Sequence, residues 1–107
     1  MGELRCSRMG ILIMRSEVHR HYVLYNGVPR VGTRYKDIAV VEQDQFEVRI
    51  FEGDVLQIQP EFTVKVSRSE THSHATLSLA IADAQKECET LEAAGWVQYR
   101  RMHGNTI

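Results

Sequence analysis

Two runs of strand-forming residues, at positions 19–25 and 28–35, lie on either side of Asn26-Gly27. Asn-Gly readily adopts the two positive φ angles of a type I′ turn, so the pattern predicts a two-residue hairpin with Tyr25 opposite Val28. That register places the apolar side chains on one face, which is the expected core face. They are Val18, Tyr22, Leu24, Pro29, Val31 and Tyr35.

The opposite face of this hairpin is basic. It would expose His19, His21, Arg30 and Arg34 together, with Tyr25 nearer to the turn. Pro29 has no backbone N–H to donate to a ladder, so its strand is expected to lie at an edge there.

Alternation of apolar and polar residues predicts further strands in the middle of the chain. These strands cover residues 38–41, 46–51, 55–59 and 62–67. The second and third would form a hairpin around Glu52-Gly53-Asp54, which Pro60 ends. The mostly polar residues 67–78 are expected to form a loop.

A helical period follows this loop and predicts a helix over residues 79–94. Ser78 is the expected N-cap, and Gly95 stands where a left-handed residue stops a helix. Apolar residues share one side: Leu77, Ala80, Ile81, Ala84, Cys88 and Leu91. Residues 96–99 then predict a last strand, and residues 11–13 a short first one.

These elements predict an α+β fold with five or six mainly antiparallel strands, one C-terminal amphipathic helix packed on the sheet and a short last strand. The 107 residues are enough for one domain. We expect it at residues 15–103, after an arm at 1–14 and before a tail at 104–107. Met1, Met9 and Met14 are alternative starts.

Charge is distributed unevenly, although the net charge is only −1. Residues 1–36 carry seven Lys/Arg and two Asp/Glu, and residues 37–92 carry four basic and twelve acidic residues. Arg100 and Arg101 make the C-terminal end basic as well. Basic ends therefore flank an acidic middle.

The two cysteines, Cys6 and Cys88, are too few for a disulfide framework, so a reducing, cytoplasmic location is expected. The longest apolar run, residues 9–14, is too short to span a membrane. Cys88 falls on the apolar side of the helix among acidic neighbours, which disfavours a nucleophilic role. No nucleotide-binding motif is present, and no cofactor is predicted.

A metal-binding or enzymatic role is the third-ranked hypothesis, and it rests on two His-x-His motifs. His19/His21 and His72/His74 each have the spacing that projects two ligands from one strand face, and Glu70 adds a carboxylate. Arg30 and Arg34 would lie beside the first motif and disfavour a cation there. The second motif falls in the predicted loop.

Non-catalytic binding is therefore the favoured function. The first hypothesis is an adaptor, regulator or inhibitor that binds another protein, or a second copy, through an open sheet edge. The second is nucleic-acid binding, in which arginines contact phosphates and aromatic rings stack on bases. The candidate binding residues are His19, His21, Tyr25, Arg30, Arg34, Trp96, Arg100 and Arg101.

Overall fold

The computed structural model describes residues 17–98. Within them the strands are β1 (Glu17–Asn26), β2 (Arg34–Glu42), β3 (Phe46–Gln57), β4 (Thr63–His74) and β5 (Val97–Gln98), and the helix is α1 (Leu77–Ala93). This arrangement confirms the predicted α+β fold. The predicted arm, the strand at residues 11–13, the tail, Arg100 and Arg101 lie outside the described residues.

The five strands form one antiparallel sheet in the order β4-β3-β2-β1-β5. The first four strands follow one another as a meander. Helix α1 then carries the chain across one face of the sheet, from the β4 edge to the β1 edge, where β5 pairs with Leu24 and Tyr25. The helix is thus connected to both edges of the sheet.

Small residues let α1 lie close to the sheet. Its fully covered positions are Ala80, Ala84 and Cys88, spaced four residues apart and therefore on one side of the helix. The predicted burial of Cys88 is confirmed. No helix within residues 17–98 is long and apolar enough to cross a membrane.

The ends of α1 differ in how well the sequence predicts them. Thr76, not Ser78, is the N-cap, because β4 runs as far as His74 and the helix already starts at Leu77. The Leu79 N–H donates to Thr76 Oγ1 at 3.2 Å. At the other end Gly95 has φ 102°, which confirms its predicted left-handed conformation.

Each face of the sheet has its own apolar core. The core beneath α1 contains Leu24, Ile38, Val40, Val48 and Ile50 with the buried helix positions. The second core, on the other face, contains Val23, Tyr25, Tyr35 and Val55, and partly buried Ile58, Phe62 and Val64 pack on it. Val18 and Val31 are exposed, so the core face predicted for the first hairpin is only partly right.

The predicted type I′ turn at Asn26-Gly27 is wrong. Tyr25 pairs with Tyr35 rather than with Val28, and residues 27–33 form the connection. This register buries both tyrosine rings in the second core, with their centroids 5.6 Å apart. The connection is also held at its far end, where the Gly32 N–H donates to the Val55 carbonyl at 2.8 Å.

The predicted turn at Glu52-Gly53-Asp54 is wrong as well, because β3 continues through it. The ladder with β4 shifts by one residue beside Gly53. A Cβ at that position would lie 2.0 Å from the carbonyl oxygen of Lys65. Glycine is needed there for close approach of a bulged neighbour, not for a turn.

Residues 67–78 were predicted to form a loop, and this prediction is wrong for most of them. Strand β4 extends through most of them and ends at His74. From Arg68 to His74 its side chains alternate between the two faces of the sheet, but both sets are polar, so the alternation carries no hydrophobic period.

Candidate metal centre

Strand β4 places two histidines on the face that α1 covers. His72 pairs with Val48 and His74 with Phe46, and both of these partners belong to the layer beneath the helix. The two imidazoles therefore project together from one side of the edge strand towards α1, as the i, i+2 spacing of the motif requires.

Helix α1 places two carboxylates opposite these histidines. Asp83 and Glu87 are one turn apart and lie on the same side of the helix. Asp83 Oδ2 accepts hydrogen bonds from His72 Nδ1 at 2.9 Å and from His74 Nε2 at 2.8 Å. One ligand atom each from His72, Asp83 and Glu87 fall within 4.8 Å of one another.

A further carboxylate supports the other side of the His72 ring. His72 Nε2 donates to Glu70 Oε2 at 2.8 Å. The ring is thus held at both nitrogens, one directed towards the cluster and one towards Glu70. Metal-bound imidazoles commonly donate their remote N–H to a carboxylate in this way, which fixes the orientation of the ring.

The carboxylates also control protonation. Hydrogen bonds to Glu70 and then Asp83 raise the pKa of His72 above its ordinary value, although partial burial opposes them. Burial pushes the pKa of Asp83 upward, but the hydrogen bonds from His74 and His72 outweigh this effect and leave it below its ordinary value. His72 and Asp83 are therefore each stabilised in their charged form.

The cluster is partly open to water. The exposed fractions of the side chains are 30% for His72, 23% for His74 and 21% for Asp83. The three side chains are therefore partly covered but still reach solvent. The cross-strand neighbours of the two histidines, Val48 and Phe46, are apolar.

The first His-x-His motif does not repeat this arrangement. The ladder of β1 with β2 has one extra residue between Val18 and Arg20, and this residue is His19. His19 Nε2 contacts Glu42 Oε1 at 2.8 Å, whereas His21 Nε2 contacts Asp37 Oδ1 at 2.8 Å on the other face. The bulge therefore separates two histidines that a regular strand would hold together.

His19 belongs to a second, smaller group. Ligand atoms of Glu17, His19 and Glu42 also lie within 4.8 Å of one another. This group has a single imidazole, that of His19, and two carboxylates. It is a weaker candidate than the cluster between β4 and α1.

The structure does not assemble the basic face predicted for the first hairpin. Arg34 donates to Asp54 at 2.9 Å and also pairs with Glu52, on the face that carries α1. His21 lies on the opposite face, and Arg30 lies in the connection between β1 and β2. The expectation that His19, His21, Arg30 and Arg34 share one exposed face is wrong.

The aromatic residues proposed for base stacking are not presented to solvent together either. Tyr25 is fully buried, and half-buried Trp96 packs against the core beneath α1. Nucleic-acid binding by this chain stays a prediction, but these aromatic rings offer no shared exposed platform for it.

Sequence reasoning found His72, His74 and Glu70 but missed Asp83 and Glu87. A signal for them existed in the i, i+4 spacing of two carboxylates on the predicted helix. It carried no information on its own, since acidic residues are common on exposed helix faces. The two carboxylates can be assigned to a site only once β4 is known to extend to His74, because His72 and His74 then lie on a strand beside α1.

No protein-family model, no curated protein and no solved structure matches this chain.

Proposed function

We propose that the protein binds one divalent d-block metal ion, with zinc the best fit, between strand β4 and helix α1. The observation that supports this proposal is the group of ligand atoms from His72, Asp83 and Glu87, to which His74 is joined by its contact with Asp83. The ligands come from a strand and a helix that follow each other in the chain. Each element contributes its pair by the spacing natural to it, i, i+2 in the strand and i, i+4 in the helix.

The donor set argues for this class of metal. Imidazole nitrogen suits zinc, copper, nickel and iron, whereas magnesium and calcium prefer oxygen ligands only. Two imidazoles with two carboxylates match the four-coordinate preference of zinc. No thiolate is part of the set, because Cys88 faces the core beneath α1.

The proposed role is structural rather than catalytic. Four protein ligands would close a tetrahedral site, while catalytic zinc keeps a position open for water or substrate. An ion held by β4 and α1 would fasten the helix to the edge of the sheet. This proposal fits non-catalytic binding and gives the second His-x-His motif a defined task.

Zinc titration in competition with a chromophoric chelator tests the proposal. The native protein is expected to take up one equivalent, and His72→Gln and His74→Gln are each expected to lower affinity by at least about a hundredfold. The matched control is His21→Gln, since His21 also contacts an aspartate at 2.8 Å but lies on the other face.

Three results would contradict the proposal. One is the absence of stoichiometric zinc uptake, and another is an equal loss of affinity in His21→Gln. The third is a site that survives both His72→Gln and His74→Gln but disappears in His19→Gln, which would assign the metal to the group at Glu17, His19 and Glu42 instead.

A further inference from the structure

Strand β4 has an outer edge that pairs with no other strand among residues 17–98. The strand is 12 residues long and contains no proline. Most of its side chains are exposed. An edge of this length presents a row of backbone donors and acceptors that a further strand can extend.

The side chains along the centre of this edge are either charged or small. Arg68 and Glu70 lie on the face that carries α1, because they pair with Glu52 and Ile50 of β3. Ser69 and Thr71 lie on the other face. Arg68 is 72% exposed and Glu70 is 47% exposed, and their charged atoms are 3.9 Å apart within one chain.

We propose that β4 pairs antiparallel with β4 of a second copy of this chain, about a two-fold axis at Ser69. In that register Arg68 of each copy lies opposite Glu70 of the other, and the two Ser69 residues face each other. Two opposite-charge pairs then flank the axis on one face, and small hydroxyl side chains meet on the other.

The neighbouring symmetric registers are less favourable. Centring the pair on Arg68 places two arginines directly opposite each other, and centring it on Glu70 does the same for two carboxylates. Directly opposed like charges destabilise an antiparallel pair. The alternation of sign along the strand therefore selects the axis at Ser69.

Charged side chains on an edge strand normally prevent pairing with other strands. Here Arg68 is followed two residues later by Glu70. Each charge would repel a like charge on another strand, but it can pair with the opposite charge of a second copy. The edge therefore discriminates against unlike partners and accepts its own copy, so that repulsion and attraction are both part of its specificity.

Disulfide trapping tests the register directly. Residues facing each other across an antiparallel pair have Cα atoms about 4.5–5.5 Å apart, which is within the range of a disulfide. In a Cys6→Ser background, Ser69→Cys is expected to form a disulfide-linked dimer under mild oxidation. Thr71→Cys is the matched control and is expected to form no disulfide-linked dimer, since Thr71 does not face its own copy in this register.

Charge reversal tests the energetics by sedimentation equilibrium. Arg68→Glu and Glu70→Arg are each expected to weaken dimerisation by about tenfold, and the double variant to restore it to within about threefold of the native value. Lys86→Glu, on the exposed side of α1, is the control and should change nothing.

Because Glu70 also contacts His72, these measurements are made with a chelator present, and the zinc titration above remains a separate test. A native protein that stays monomeric at high concentration would overturn the inference. So would equal trapping of Ser69→Cys and Thr71→Cys, or a double variant that is no better than either single one.

Discussion

The two His-x-His segments of this chain share a spacing but have different surroundings. In β4 the motif stays on one face and meets two carboxylates of α1. In β1 a bulge at His19 places one histidine on each face, and each meets a carboxylate from β2. The same three-residue pattern thus holds two histidines together in one strand and separates them in the other.

The comparison shows which physical conditions turn a motif into a site. Regular pairing over Arg68–His74 keeps the side-chain alternation of β4 intact. A second element, α1, then brings its own pair of ligands to the same place. The β1 motif lacks regular alternation, and its two imidazoles contact different carboxylates, those of Glu42 and Asp37.

Removing the shared carboxylate should have the largest effect. Asp83→Asn is expected to lower zinc affinity by at least about a hundredfold, because it removes a ligand and the charge that both imidazoles contact. Asp37→Asn is the matched change at His21 and should leave affinity unaltered. Competition titration of both variants makes the measurement, and equal behaviour would mean that the two motifs do not differ.

The next-largest effect on zinc affinity is expected at Glu70, which contacts the His72 ring on the side away from Asp83. Glu70→Gln keeps the shape of the side chain but weakens the hydrogen bond at His72 Nε2. Zinc affinity is expected to fall by about tenfold, the low end of the range for such supporting residues. The same titration measures it, and a loss as large as that of Asp83→Asn would make Glu70 a ligand instead.

Cys88→Ser separates the stability of the helix packing from the metal site. The thiol is buried beside Ala84, so a hydroxyl there is expected to lower the free energy of unfolding by about 1–3 kcal/mol. Urea denaturation measures this loss. Zinc affinity per folded molecule should not change, and a lower affinity would show that the thiol contributes to the site.

The smallest effect is the pH dependence of stability in chelator. Because the pKa of His72 is raised in the folded state, its contribution is fully present below about pH 6.5 and is lost as pH rises through the folded pKa. This contribution to the free energy of unfolding is small, because His72 and its partners Glu70 and Asp83 are partly exposed to water. Zinc reverses the trend, since the metal requires deprotonated imidazole.

Urea denaturation of native protein and His72→Gln, from about pH 5.5 to about pH 8.5, follows this dependence. The difference between the two proteins should shrink as pH rises in chelator and grow in zinc. A difference that does not vary with pH would mean that His72 does not titrate differently in the folded and unfolded states.

Much of the fold followed from apolar periodicity. The helix was predictable because its apolar residues recur at the helical period. Its end was predictable because Gly95 readily adopts a left-handed conformation. Both predicted turns were wrong because a local preference lost to distant packing. Asn26-Gly27 suits a tight turn, but pairing Tyr25 with Tyr35 buries two aromatic rings.

The candidate site was harder to predict for a related reason. On the face that carries α1, strand β4 has arginine, glutamate and histidines where a typical strand has valines, so a search for apolar alternation finds no strand there. Two of the polar side chains that hid the strand, His72 and His74, are the ones that contact α1. Local patterning fails at this site because its inward face is used for polar contacts instead of apolar packing.

The route of α1 across the sheet has a consequence for the order in which the molecule assembles. The hairpins β1–β2, β2–β3 and β3–β4 join neighbouring segments, whereas Leu24 and Gln98 meet from opposite ends of residues 17–98. Closing so long a loop is slow relative to forming the meander.

Trp96, the single tryptophan, packs against the helix-side core next to β5. Its fluorescence in a stopped-flow refolding experiment should therefore lag behind the circular dichroism of the strands, and coincident signals would show that all elements form together. The proposed ion site joins β4 and α1, which follow each other in the chain, so it can assemble before β5 pairs with β1.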